Sequence, residues 1–338
     1  MIKKLFQYNN AFPLESGGSL DTVDICYHVS GEYSPAKKVI WICHALTANS
    51  DAEDWWSGLT GPEKLFDTDK YYVICANVLG SCYGSTGPTS IAPKTGKAYL
   101  LDFPKITIRD QVAAHELLRK QLGISGIDLL IGGSGGGFQA IEWSISCPHL
   151  IKNLCLIATS AVVSPWRTAF SHAQRMALYA DQSFFAQKDK EGGKKGLACA
   201  RAIGLLSYRS YEGYRLTQQE ENPDFLFAQK ACSYQEYQGK KLTDRFDAYS
   251  YYTLTNSLDS HNVGRHRGGV EKALESVKAK TLCIAVSSDM LFPISELQFI
   301  ARHIPNADIE VINSDFGHDG FLLENEQISK SILKHNIL

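Results

Sequence analysis

"DLLIGGSGGGFQAIEW", residues 128–143, decides how this chain is read. An apolar run enters a cluster of glycines broken only by Ser134, and a helical pattern follows. A dinucleotide-binding turn needs G-x-G-x-x-G between strand and helix. Counted from Gly133 the sixth position is Phe138, and counted from Gly132 the third is Ser134, so neither frame fits. A phosphate-cradling P-loop ends in Gly-Lys-Ser/Thr, and no lysine lies in this turn. What fits is G-x-S-x-G over Gly132, Ser134 and Gly136: a sharp strand-to-helix turn that lifts one serine hydroxyl to the C-terminal edge of a sheet. The pattern alone leaves open a glycine-rich turn with a bystander serine.

A serine hydroxyl is a weak nucleophile and needs a histidine base, itself oriented by a carboxylate. Where such a turn carries the nucleophile, the order along the chain is serine, acid, histidine. Downstream, "TLCIAVSSDMLFP" sets Asp289 just past a strand end, and "ADIEVINSDFGHDGFL" sets His318 in the glycine-flanked loop after the next strand. Of the ten histidines, His318 alone meets both order and placement. An oxyanion hole needs the backbone N–H after the nucleophile, that of Gly135, and a second from the loop after an early strand. In "CHALT" (43–47) Leu46 is the residue placed to give it.

The surroundings read as an α/β protein. Apolar runs at 37–43, 71–78, 128–132, 151–160 and 280–286 suit strands buried on both faces of a mostly parallel sheet. Residues 107–123 form a helix with a threonine cap, an acid three residues on and a glycine stop; residues 138–148 form another, halted near Pro148. From Ser164 to Gly269 the texture is helical throughout. The expectation is therefore an α/β-hydrolase fold, its core in two parts (1–163 and 271–338) around a helical lid inserted at 164–270.

Composition is that of an ordinary globular protein: 44% apolar and 21% charged over 338 residues, with a net charge of −2. No basic footprint for nucleic acid or a membrane surface stands out. Nor does any apolar run reach bilayer length. Nine scattered cysteines without a CxxC pair indicate neither a zinc site nor a disulfide framework, and a reducing, cytoplasmic setting is expected. Three smaller features stay open. Trp55 and Trp56 either line a pocket mouth or anchor a loop. The basic turn "GRHRGG" (264–269) either meets phosphates or is a solvated hinge. Cys82 sits in a loop within reach of thiol reagents.

With these residues in place, the chain resembles the homoserine O-acetyltransferase family, the acyltransferase branch of the α/β-hydrolases. The likeness runs through "CHALTANSDAEDWWSGLTGP" (43–62), "CANVLGSCYGSTGPTSI" (75–91), "DFPKITIRD" (102–110) and "GGSGGGFQAIEW" (132–143). It continues in "ARAIGLLSYRS" (200–210), "YQGKKLTDRFDAYSY" (237–251), "SSDMLFP" (287–293) and "GHDGFL" (317–322). The resemblance implies Ser134 as nucleophile, Asp289 as acid and His318 as base. It also implies Arg201 and Asp319 as the residues that recognise the amino acid, with Tyr208 in the same pocket. A guanidinium suits homoserine's carboxylate and a carboxylate its ammonium; the residues alone favour the plainer readings, a lid-helix surface arginine and a turn-forming aspartate. Further implications are acetyl-CoA as co-substrate with no bound cofactor or metal, a step toward methionine, and a homodimer formed through lid helices. The chain departs from the family at Gly135, where Met or Leu is usual, and this bears on the acyl group accepted. A succinyl donor or a serine acceptor on the same scaffold, a plain esterase, and a non-catalytic binding protein are the competing readings.

Overall fold

The computed structural model describes residues 1–186 and 189–338. Eight strands form the central sheet: β1 (Ile2–Tyr8), β2 (Val23–Val29), β3 (Val39–Cys43), β4 (Tyr72–Ala76), β5 (Ile127–Gly133), β6 (Ile151–Ile157), β7 (Lys280–Val286) and β8 (Ala307–Ile312). Their order is β1-β2-β4-β3-β5-β6-β7-β8. The pairs from β4 through β8 are parallel, whereas β2 is antiparallel to both β1 and β4. "VIWIC" and "YVICA" are buried at every residue, as their unbroken apolar runs require of strands covered on both faces. The N-terminal pair, β1 and β2, lies outside the apolar runs that mark β3 to β7. β1 is an edge strand whose "IKKLFQY" stays largely exposed or half-exposed, so it carries little of their burial signal.

Helix α1 (Ile108–Gln121) begins as expected: the Thr107 hydroxyl accepts from the Asp110 N–H, and the Asp110 carboxylate accepts from the Thr107 N–H at 2.8 Å. Helix α2 (Gly135–Ser146) starts three residues earlier than the apolar pattern indicates. The glycines themselves make its first turn, because the helix enters against the end of β3. A side chain at Gly136 would stand 2.1 Å from the Cys43 carbonyl oxygen.

Between β6 and β7 lie α3 (Pro165–Ala180), α4 (Lys194–Tyr208), α5 (Tyr211–Gln218), α6 (Lys230–Thr243) and α7 (Ala248–Asp259). After β7 come α8 (Ile294–His303) and α9 (Asn325–Lys334). One face of the sheet packs Ile25, Trp41, Ile74 and Leu130 with Val112 and Ile141. The other packs Ile42, Val73, Ile131 and Ile284 with Phe321, Ile328 and Ile332. The inserted helices have their own apolar centre around Leu178, Leu197, Leu242 and Tyr249. A fourth cluster (Ile108, Phe138, Leu258, Leu291, Phe292) joins these helices to the sheet edge, with Leu46 and Tyr208 packed against it. No helix among the described residues is long and apolar enough to cross a membrane.

Candidate active site

Because β5, β7 and β8 are parallel, the residues following their C-terminal ends share one edge of the sheet. Ser134 follows β5 directly and sits at φ 55°, ψ −125°, a left-handed conformation uncommon for a residue with a side chain. The turn is tied down around it. Its N–H donates to the Ile157 carbonyl at 3.0 Å, and its carbonyl accepts from the Thr159 hydroxyl at 2.9 Å.

Asp289 follows β7. One carboxylate oxygen accepts from the N–H groups of Leu291 and Phe292 at 2.8 and 2.9 Å. The other is 2.7 Å from Nδ1 of His318. Both residues are buried. With Nδ1 so engaged, His318 Nε2 is buried and meets no hydrogen-bond partner among the described residues. The ring lies between Phe292 and Phe321, centroids 5.2 Å away in each case. Phe321 in turn fills the space that a side chain at Gly133 would need, so it packs the histidine against the serine-bearing turn.

Leu46 and Gly135 line one narrow cleft with His44, Ala45, Val78, Gln111, Gln139, Leu254 and Leu258. Gly135 is the first residue of α2, where an N–H has no helical carbonyl to pair with. The Leu46 loop is held by His44, which sequence reasoning passes over. Its Nε2 accepts from the Val78 N–H at 3.1 Å and its Nδ1 faces the Ala45 carbonyl at 2.9 Å, which assigns the neutral Nδ1–H tautomer. Burial lowers its pKa to about 4. Gln139 ties loop to helix by donating to the carbonyls of His44 and Gly135 at 3.1 and 3.3 Å.

The three residues expected to recognise an amino acid converge on the histidine. Arg201, on α4, lies over the Tyr208 ring at 5.6 Å, and that ring is 6.0 Å from His318. Asp319, next to the histidine, pairs with Arg209 at 2.9 Å. Burial pushes the Asp319 carboxyl up, and the Arg209 guanidinium opposes the shift. Arg209 also donates to the Tyr234 hydroxyl at 3.2 Å. Its place beside Tyr208 is the one signal in the sequence that points to it.

The open features resolve as structural. Trp56 is buried and donates to the Phe321 carbonyl at 3.2 Å, so it anchors its loop. Arg265 and Arg267 of the basic turn pair with Glu15 and Glu142. Burial pushes the Cys82 thiol up to about 12, which suppresses its thiolate. No group of three or more His, Cys, Asp or Glu side chains among the described residues assembles around a metal-sized site.

A sheet of this order, with a strained serine at the turn leaving β5, places the protein in the α/β-hydrolase class, and the family model for the alpha/beta hydrolase fold matches residues 38–325. The chain is 44% identical over 332 residues to the homoserine O-acetyltransferase of Cyclobacterium marinum, spanning 97% of this chain and 93% of that one. It belongs to the homoserine O-acetyltransferase family. Among solved structures, the homoserine O-acetyltransferase from Bacillus anthracis superposes with a TM-score of 0.87 at 25% identity, covering 99% of this chain and 97% of that one. Esterase E22 superposes with a TM-score of 0.89, also at 25% identity and with 99% of each chain covered.

Proposed function

We propose that this protein transfers the acetyl group of acetyl-CoA to the hydroxyl of L-homoserine through an acyl-serine intermediate. The observation that carries the reading is the Asp289–His318 couple, with its free Nε2 on the sheet edge that bears Ser134, in a chain so similar to homoserine O-acetyltransferases. In the first half-reaction His318 Nε2 takes the Ser134 proton as Oγ attacks the thioester carbonyl. The N–H groups of Gly135 and Leu46 receive the oxyanion, each worth about 3 kcal/mol in the transition state. The C–S bond then breaks, and His318 returns the proton to give the CoA thiol and acetyl-Ser134. In the second, His318 takes the homoserine hydroxyl proton as that oxygen attacks the acyl carbon. The Ser134 Oγ leaves and recovers its proton, releasing O-acetyl-L-homoserine.

Acceptor recognition falls to Arg201 for the carboxylate and Asp319 for the ammonium, with Tyr208 between Arg201 and the base. The cleft beside Gly135 offers aliphatic side chains, two amides and a neutral histidine, which suit a methyl group better than the second carboxylate of a succinyl donor. Residues 164–270 act as a lid that keeps water from the acyl-enzyme, on a core of residues 1–163 and 271–338. The same helices supply a homodimer interface. Tyr211, Leu216 and Tyr237 on α5 and α6, and Phe225, Leu226 and Phe227 in the loop between them, are all exposed, an unusual concentration of apolar side chains. The nine free thiols accord with a cytoplasmic setting.

The test is loss of thioester absorbance with acetyl-CoA, with and without L-homoserine, against succinyl-CoA, L-serine and a Ser134→Ala blank. Turnover that requires acetyl-CoA and homoserine together is expected. Steady acceptor-independent turnover would move the protein to the hydrolases, where esterase E22 lies.

A further inference from the structure

Gly135 differs from its neighbours in the turn by what stands where its side chain would be. At Gly136 the obstacle is the Cys43 backbone, and at Gly137 it is Thr159 behind the turn. At Gly135 it is the end of a side chain from the inserted helices: Leu258 Cδ2, 2.8 Å from the missing Cβ, with the other Leu258 carbons no nearer than 3.8 Å. Leu258 comes from α7, is 5% exposed, and lines the same cleft as Leu46, Val78, Leu254 and Gly135 itself. It also packs with Phe138 and Phe292, and Phe292 touches the His318 ring. Its position is therefore braced from the helix below and from the loop that carries Asp289.

We infer that Leu258, seated over Gly135, forms the end wall of the acyl pocket and restricts the donor to short, unbranched acyl groups. The inference rests on the acyl-serine reading and adds to it the residue that measures chain length. An acyl carbon bonded to Ser134, with its oxygen toward the N–H of Gly135, projects its alkyl end into the space these two residues share. There a methyl is accommodated, whereas each further carbon meets the Leu258 side chain. Glycine at 135 and leucine at 258 form one device: a side chain at 135 requires the leucine to turn aside into the space kept for the acyl group.

The experiment compares wild type, Leu258→Val, Leu258→Ala, Gly135→Ala and the double variant Gly135→Ala/Leu258→Ala. Acetyl-, propionyl- and butyryl-CoA are the donors, with p-nitrophenyl acetate and butyrate in parallel. The butyryl-to-acetyl ratio of kcat/KM should rise at least tenfold in Leu258→Ala and by less in Leu258→Val. Gly135→Ala should lose activity that the double variant regains in part, so the two substitutions do not add. An unchanged ratio in Leu258→Val and Leu258→Ala, or strict additivity, overturns the inference. Because the milder Leu258→Val reports the same ratio, poor folding of the alanine variant does not blunt the test. The esters separate the two readings: if no CoA thioester is consumed yet Ser134-dependent ester cleavage shows the Leu258 dependence, the transferase reading fails and the pocket assignment stands.

Discussion

Arg209 and Asp319 meet at 2.9 Å, joining the end of α4 to the turn that carries His318. The carboxylate proposed to receive the substrate ammonium therefore already has a cationic partner. Its burial raises the cost of ionisation, and the guanidinium opposes that shift and aims the carboxylate. Arg209→Ala should raise the homoserine KM at least about tenfold, the loss expected when a buried carboxylate forfeits its charged partner, and should act much less on the acyl-enzyme burst with acetyl-CoA. Stopped-flow measurement of both half-reactions decides this. Equal losses in the two would make Arg209 a structural brace.

Asp289 spends its two oxygens on different tasks, one on backbone N–H groups and one on His318. Asp289→Asn keeps the size but offers the imidazole a donor or a weaker acceptor, which disfavours the tautomer with a free Nε2. Acylation by acetyl-CoA should fall about 10³- to 10⁴-fold, the usual consequence of disabling the acid behind a catalytic histidine. A drop below tenfold would mean that the 2.7 Å contact orients nothing of consequence.

Much of this arrangement is legible in the amino-acid sequence. G-x-S-x-G between an apolar run and a helical pattern marks the turn, and chain order with strand-end placement singles out Asp289 and His318. Those signals are local and rest on backbone geometry. Gln139 and Leu258 are invisible there, and Arg209 is marked only by its place beside Tyr208, because each matters through a contact with a residue distant in sequence: His44, Gly135 and Asp319. β1 is hidden for another reason, since an exposed edge strand need not be apolar; β2 is buried at five of its seven residues, but Asp24 and His28 interrupt its apolar run. The early start of α2 is masked because glycines, poor helix formers, occupy its first turn for the sake of close approach to β3.

That close approach yields a ranking. At Gly136 a methyl would collide with backbone at 2.1 Å, whereas at Gly135 only the tip of Leu258 must yield. Gly136→Ala should cost at least about 3 kcal/mol of stability and Gly135→Ala about 1 kcal/mol, bracketing the usual range for overpacking. Urea midpoints at constant slope would measure both. The reverse order would show that the turn is more deformable than its packing indicates.

Acid should unfold this protein through its buried histidines. His44, His115 and His261 are all buried, and burial lowers their pKa values to about 4, 3 and 3. The unfolded chain protonates them near 6.5, so below that pH it binds protons that the folded state refuses, and stability falls as pH drops. The loss begins near pH 6.5 and, for His44, levels off near pH 4. At pH 5 each such group costs about 2 kcal/mol relative to neutral pH. Three together cost about 6 kcal/mol, which is comparable with the whole stability of many domains. His115 is the cleanest probe because it lies outside the proposed catalytic apparatus, packed against Trp41 and Trp143 at 6.1 and 6.0 Å. His115→Leu should leave the melting temperature at pH 7.5 little changed and make its decline between pH 6.5 and 5 shallower by about one third, since one of three equal linkages is gone. A decline as steep as that of wild type would show that His115 does not hold a neutral ring in the fold.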